Sequence, residues 1–370
     1  MSLYESRRTF PGTNASHLLP LNTMPAHDPA TRRRRLTMQQ LSLMILVIQN
    51  SVLVLVMRQS RRPADAPLMY LASTAVFGAE VIKLVCCTAM LYWTTTTAPF
   101  SVAALGYFMK HQVYDLVMDG RALLLMMIPS GLYAIQNNLL YVALSHLEAA
   151  TFQVTYQLKI LSTALFSMLL LDRHLTRQQW AALLLLMVGV TMVQLSTVTT
   201  TTTTEEVEED DPASVTWIGL MAVLASCVSS GFAGCYFERL LKSRSSGPPV
   251  SIWVRNIHLG ICGSLFSFVG MVIYDRQRIL DDGFFQGYDG TTYWVIMNQA
   301  LGGIIVSIVM KYADNILKAF ATSLSIILSS VISVYLFDFR PSLSFMAGTC
   351  IVLLSTYLYS RPTYPTSKPD

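Results

Sequence analysis

The chain has 370 residues, 53% of them hydrophobic and only 13% charged, with a formal net charge of +4 and a mean hydropathy of +0.47. Soluble domains carry about 25% charged residues and disordered chains combine low hydrophobicity with high charge, so both classes are excluded. A nucleic-acid binder is excluded too, because the basic residues sit in short stretches between apolar runs and not in one solvated stripe.

Residues 1–37 read as a polar, disordered arm with Pro11, Pro20, Pro25 and Pro29, closing on Arg32 to Arg35. Ten apolar runs follow, each near the roughly 20 residues that cross a bilayer. They are 38–57, 67–93, 121–144, 148–171, 177–195, 214–238, 251–274, 291–312, 317–337 and 342–360, called spans 1 to 10 below. Between spans 5 and 6, residues 199–213 hold a threonine tract and then an acid cluster, a solvated linker that leaves five spans on either side. Residues 361–370 form a polar tail.

An even number of spans puts both termini on one side. Of the 26 Lys and Arg residues, 17 fall on that side, six on the other and three inside spans. The positive-inside rule places the richer side, with both termini, in the cytosol. There the sequon Asn14-Ala15-Ser16 is expected to stay unmodified. Arg58, Arg61 and Arg62 oppose the bias locally. Five is odd, so the two halves run in opposite senses, the arithmetic of an inverted repeat. At an offset of 170, Ala143, Leu147 and Ala149 lie over Ala313, Leu317 and Ala319.

Charge inside a span is costly, about 2.5–3.5 kcal/mol on insertion scales, and marks a cavity or a partner. Span 2 carries Glu80 and Lys83 on one helix face, either a pair that neutralises itself or a lysine lent to a substrate. Lys159 stands in mid-span 4 with no acid within four residues, which points to a water-filled cavity or an anionic ligand. Phe152 and Tyr156 are spaced i, i+4, and Gln153, Tyr156 and Lys159 roughly share a face. They set an aromatic wall beside a cation, as a nucleobase next to phosphate requires. Span 3 carries Tyr133, Gln136 and Asn137 at i, i+3, i+4, with Asn138 next. These amides serve interhelical hydrogen bonds or the edges of a base or sugar. In the second half, Gly231 and Gly234 leave room for close helix approach, ahead of Tyr236 and Glu238. Gly302, Gly303 and Ser307 line span 8, and Lys318 opens span 9.

Nothing in the chain points to an enzyme. The six cysteines form no C-x-x-C pair, and no two of the six histidines lie within four residues, so no metal site is expected. No nucleophile elbow, H-E-x-x-H or Walker A motif occurs. No cofactor and no ATP-driven motor are expected.

The runs EVIKL (80–84), IQNNLLYVALSHLEAATFQVTYQLKILSTALFSMLL (135–170), SSGFAGCYFERLLK (229–242), VRNIHLG (254–260), GFFQGY (283–288) and NQALGGIIVSIVMKYADNILKAFATSLSIILSSVISVYLF (298–337) resemble the Golgi nucleotide-sugar transporters. The resemblance implies an all-α polytopic membrane protein of the drug/metabolite transporter fold. Its ten transmembrane helices would form two inverted five-helix repeats, 38–198 and 214–360. It implies exchange of a cytosolic nucleotide sugar for the lumenal nucleoside monophosphate in the Golgi membrane, with UDP-sugar and UMP as ligands and membrane lipid as surroundings. Homodimers or association with glycosyltransferases accompany that reading.

The binding residues implied are Lys83, Tyr133, Gln136, Asn137, Phe152, Tyr156, Lys159, Tyr236, Ser307 and Lys318, with Glu80 and Asn138 in support. Residues 149–161 and 297–303 look most like the UDP-galactose branch. Phe152 and Val306 count against the CMP-sialic acid branch. The alternatives are a UDP-N-acetylglucosamine or dual UDP-sugar carrier, then a CMP-sialic acid carrier or another phosphorylated-metabolite exchanger.

Overall fold

A computed structural model describes residues 29–60, 70–96, 106, 108–110, 119–199, 212–242, 251–337 and 342–361. The sequon, the threonine and acid run of the linker and the tail beyond 361 lie outside the described residues.

Among these residues, ten helices are long and apolar enough to cross a membrane: Leu36–Met57, Ala72–Thr95, Gly120–His146, Ala150–Leu171, Arg177–Ser196, Trp217–Lys242, Ile252–Tyr274, Gly290–Tyr312, Asn315–Leu336 and Leu343–Ser360. Each coincides with one expected span. The protein is therefore an all-α polytopic membrane protein. The first helix starts at Pro29, inside what was expected to be arm, so Arg32 to Arg35 form helical turns below span 1. Proline suits a first helical position, where its missing N–H costs nothing.

The ends follow local chemistry. Ser251 and Ser342 cap spans 7 and 10 through Trp253 N and Phe345 N. Asp289 and Thr292 form a reciprocal capping box at span 8. The bonds from Thr292 hold the Asp289 carboxyl below the usual range. Span 3 ends at Leu147 and span 8 at Ala313. The halves thus register at an offset of 166 at these ends, whereas the starts of the same spans, Gly120 and Gly290, register at 170, the offset of the sequence echo.

Span 1 packs on spans 8 and 9, and span 6 packs on spans 3 and 4. Span 2 meets spans 7 and 8, and span 7 meets spans 2 and 3. Spans 5 and 10 pair with each other. Exchanging each span of one half for its counterpart leaves these pairings unchanged, as an inverted repeat requires. Each half gives its first helix to the other, producing one group of spans 3, 4 and 6 and another of spans 1, 8 and 9. The two groups meet at a seam, here the crevice, between spans 4 and 9, where Ile160 and Ala164 share one apolar core with Ile316 and Phe320.

Small residues set the close approaches. A Cβ on Gly189 would stand 2.9 Å from Val352 Cγ2 and 3.0 Å from the Gly348 carbonyl, so spans 5 and 10 touch backbone to backbone. A Cβ on Gly231 would meet Ser162 and Thr163 of span 4, and one on Gly234 would meet Asn315 at the head of span 9. The room expected at Gly231 and Gly234 is therefore filled by neighbours from both groups. Gly348→Leu is expected to lower stability by about 1–3 kcal/mol through overpacking. Gly270→Ala, where an added Cβ meets nothing within 4 Å, is expected not to. Thermal unfolding of the two variants in detergent checks this.

Candidate functional site

Span 4 is not one continuous helix. Ala149–Tyr156 and Leu158–Leu171 are separated at Gln157, whose N–H donates to Val154 O at 3.2 Å in a tighter turn. Breaks of this kind place backbone groups and side chains at a cavity, where lipid does not reach them. The carbonyls next to the break are served from span 6: the Cys227 thiol lies 3.6 Å from Tyr156 O and 3.9 Å from Thr155 O. Gln157 is itself buried and donates to Gln194 Oε1 of span 5 at 2.5 Å.

The aromatic wall forms around this break. Phe152 and Tyr156 stack with ring centroids 5.4 Å apart and planes 13° from parallel. Gln136 of span 3 donates to the Tyr156 hydroxyl at 3.4 Å. Lys159 Nζ sits 4.0 Å from the Tyr156 ring centroid. The ammonium groups of Lys159 and Lys318 lie within electrostatic range of each other, one on each wall of the crevice. Lys318 and Tyr133 both lie close to Cys235, which brings Tyr133 to the same region. None of the ion pairs among the described residues includes Lys159 or Lys318. Neither cation is ion-paired, although Glu238 lies within electrostatic range of Lys318, so the arrangement offers positive charge to an anion.

The second expected lysine site is occupied by protein. Lys83 Nζ lies 2.5 Å from Glu80 Oε2, with the lysine side chain 8% exposed. A Cβ on Gly303 would stand 2.8 Å from Lys83 Cδ, and the glycine thus seats the lysine stem against span 8. Ser307, one turn further along, is buried and donates to Asn256 Oδ1 of span 7 at 2.6 Å. The self-neutralising reading of Glu80 and Lys83 therefore describes this conformation. The Ser307 hydroxyl proton is already used, leaving only acceptor capacity.

Other expected residues are dispersed. Asn137 is exposed on the helix face that carries Tyr133. Asn138 bonds back to Ala134 O at 2.9 Å, which satisfies it inside its own helix and not across helices. Tyr236 stacks on Phe232 at 5.8 Å, and Phe232 meets Phe166. That ladder joins spans 4 and 6.

Sequence reasoning missed two features. Asn256 is one, buried with Nδ2 donating to Ile252 O at 2.9 Å. The other is a charged cluster at the end of the crevice. Arg173 donates to Asp314 Oδ2 at 2.6 Å and to Glu238 Oε1 at 2.9 Å. Lys242 reaches Glu238 Oε1 at 2.7 Å and also bonds Ala313 O. Its signal was present: these charges end spans 4 and 6 and begin span 9, all on the richer basic side.

With this geometry in view, the comparisons decide the family. A family model described as nucleotide-sugar transporter matches residues 34–360. The chain belongs to the nucleotide-sugar transporter family. A UDP-N-acetylglucosamine transporter of Canis lupus familiaris is 46% identical over 333 residues, 90% of this chain and 98% of that protein. A UDP-galactose translocator of Homo sapiens is 45% identical over 339 residues, 91% of this chain and 80% of that protein. A crystal structure of a protein 12% identical shares the fold with a TM-score of 0.61, covering 87% of this chain and 96% of that one. These relatives are carriers, and this member of their family is a transporter and not an enzyme.

The buried pair in span 2 has a measurable consequence. Removing one partner of a buried ion pair leaves an uncompensated charge and costs about 3–5 kcal/mol, whereas replacing both by apolar groups costs much less. Glu80→Leu is therefore expected to destabilise the protein more than Glu80→Leu with Lys83→Met. Thermal unfolding of the purified single and double variants, without ligand, is the check.

Proposed function

We propose that this chain exchanges a cytosolic UDP-sugar for lumenal UMP across the Golgi membrane. UDP-galactose is the first candidate sugar and UDP-N-acetylglucosamine the second. The observation that carries the proposal is the pair of lysines, Lys159 and Lys318, on opposite walls of one crevice beside the stacked Phe152 and Tyr156. In this reading the lysines clamp the diphosphate, one from each helix group. Phe152, Tyr156 and Gln136 hold the uridine. Tyr133 and Asn137 line the same wall, and Lys83 joins only after leaving Glu80. The near-equal identity to a UDP-N-acetylglucosamine transporter and a UDP-galactose translocator supports uridine over cytidine and leaves the hexose to experiment.

The proposed repeats are 38–198 and 214–360, joined by the linker, with both termini in the cytosol on the strength of the basic asymmetry. UMP keeps the uridine and one phosphate, so it engages the same wall and enough of the clamp to return the carrier.

Lys159→Ala and Lys318→Ala are each expected to lower uptake at limiting substrate by about 30-fold or more, the loss of about 2 kcal/mol or more from a desolvated charge contact. Insertion and thermal stability should be retained. Wild-type rates in both variants would defeat the clamp.

Proteoliposomes preloaded with UMP or CMP and given labelled UDP-galactose, UDP-N-acetylglucosamine and CMP-sialic acid in turn test the substrate. UMP is expected to stimulate UDP-sugar uptake and CMP is not. Uptake of CMP-sialic acid driven by CMP would overturn the uridine assignment, and equal uptake of the two UDP-sugars would overturn only the galactose preference.

A further inference from the structure

The charged cluster beyond the lysines has a job that the proposed clamp does not cover. Arg173 follows span 4, just after Asp172, whose left-handed backbone (φ 49°) turns the chain back over the bundle. Glu238 is fully buried in span 6, and Lys242 is one turn further on. Asp314 lies in the short connection to span 9. The two cations and two carboxylates balance.

Every link that leaves Arg173, Glu238 or Lys242 for span 9 crosses from the group of spans 3, 4 and 6 to the group of spans 1, 8 and 9. Those links are Arg173 to Asp314, Lys242 to Ala313 O, and Asn315 N donating to Glu238 Oε2 at 2.9 Å. Elsewhere among the described residues, the only ion pair is Glu80 with Lys83, inside a single helix.

The same carboxylates also hold the first turn of span 9. Glu238 accepts from Asn315 N, and Asp314 Oδ1 accepts from Leu317 N at 2.7 Å. These bonds satisfy donors that the helix start leaves open. Lys318 is the next residue. At the registering offset of 166, the counterpart of Asp314 in the first half is Glu148. Glu148 is exposed and makes no capping bond. Among the described residues, the end of the crevice at Asp314 thus carries ion pairs between the groups and the end at Glu148 carries none.

We propose that Arg173, Glu238, Lys242 and Asp314 form a latch that closes the crevice at the loop 4, 6 and 8 face and positions Lys318. Opening that face releases the start of span 9 and the phosphate lysine together. The assignment of this face to the cytosol, and the word phosphate, rest on the reading above; the latch itself rests on the contacts.

Cys235 is a built-in reporter. It is fully buried one turn before Glu238, within 3.3 Å of Ser167 Oγ and 3.7 Å of Asn315 Nδ2. In a chain where Cys86, Cys87, Cys227, Cys262 and Cys350 are replaced by alanine, a membrane-impermeant maleimide reads access to it in sealed proteoliposomes of known orientation. Arg173→Gln is expected to raise the labelling rate by about fivefold or more, the span of a typical coupling between states. Glu238→Gln with Asp314→Asn should do the same, since both amides still accept from Asn315 N and Leu317 N while losing the charge. Arg173→Lys should keep the rate near wild type.

The rise is expected with reagent on the cytosolic face; a rise only from the other face overturns the placement. Unchanged labelling in both variants overturns the latch. If the cysteine-replaced chain does not fold, hydrogen exchange of residues 313–318 in Arg173→Gln with native cysteines decides instead, faster exchange supporting the latch and unchanged exchange overturning it. Neither readout needs a substrate, so a chain that carried no UDP-sugar would defeat the functional reading and leave this result standing.

Discussion

The structure turns on the cost of holding charge away from water. A bilayer offers no solvent to an ammonium or carboxylate, so a span tolerates one only with a partner or a wet cavity. Glu80 and Lys83 neutralise each other against Gly263 and Gly303, where no side chain competes for space. Arg173, Glu238, Lys242 and Asp314 do so at the end of the crevice. Lys159 and Lys318 are the exception, and everything around them accommodates it. The break at Gln157 and the stacked rings of Phe152 and Tyr156 flank the two cations where the helix groups meet.

Packing supplies the other half of that arrangement. Without a hydrophobic drive between helices in lipid, close contact comes from small residues and interhelical hydrogen bonds. Gly189 and Gly348 fasten spans 5 and 10 far from the crevice. Gly231 fastens span 6 to span 4 within one group, with the Cys235 thiol donating to Thr163 O at 3.5 Å. Between the groups, the polar contacts at the crevice end adjoin apolar packing of Ile160 and Ala164 on Ile316 and Phe320. The ion pairs there combine partly exposed Arg173 and Lys242 with the fully buried Glu238, so they separate only as water reaches that carboxylate.

Much of this was legible in the sequence, and the reasons are physical. All ten spans were, because bilayer thickness imposes a length and lipid imposes a composition. The unpaired Lys159 was, because an isolated cation in an apolar run has no structural excuse. The aromatic spacing of Phe152 and Tyr156 was, because i, i+4 residues must meet on a helix. What stayed hidden needed long-range geometry. The bond from Ser307 to Asn256, 51 residues away, is one such feature. The stack of Tyr236 on Phe232 is another. Arg173 was counted only as a topological charge and Asp314 not at all, since nothing in a linear reading shows that residues 141 positions apart share a hydrogen bond.

The two lysines also give the exchange proposed for this chain an electrostatic basis. Closing the crevice on the ligand brings Lys159 and Lys318 toward each other across a low-dielectric gap. At an effective dielectric of about 20, two unit charges 4 Å apart repel by about 4 kcal/mol. An empty carrier bears that cost alone, so the conformation that precedes reorientation is scarcely populated. A bound anion cancels it, and does so more fully the closer the walls come. The ligand therefore binds the closed form better than the open one, which is the only way a ligand can shift that equilibrium. Both a diphosphate and a monophosphate meet the condition, since either places negative charge between the lysines. In the exchange proposed for this chain, electrostatics at the site would favour loaded over empty return, whichever face is open when the anion arrives.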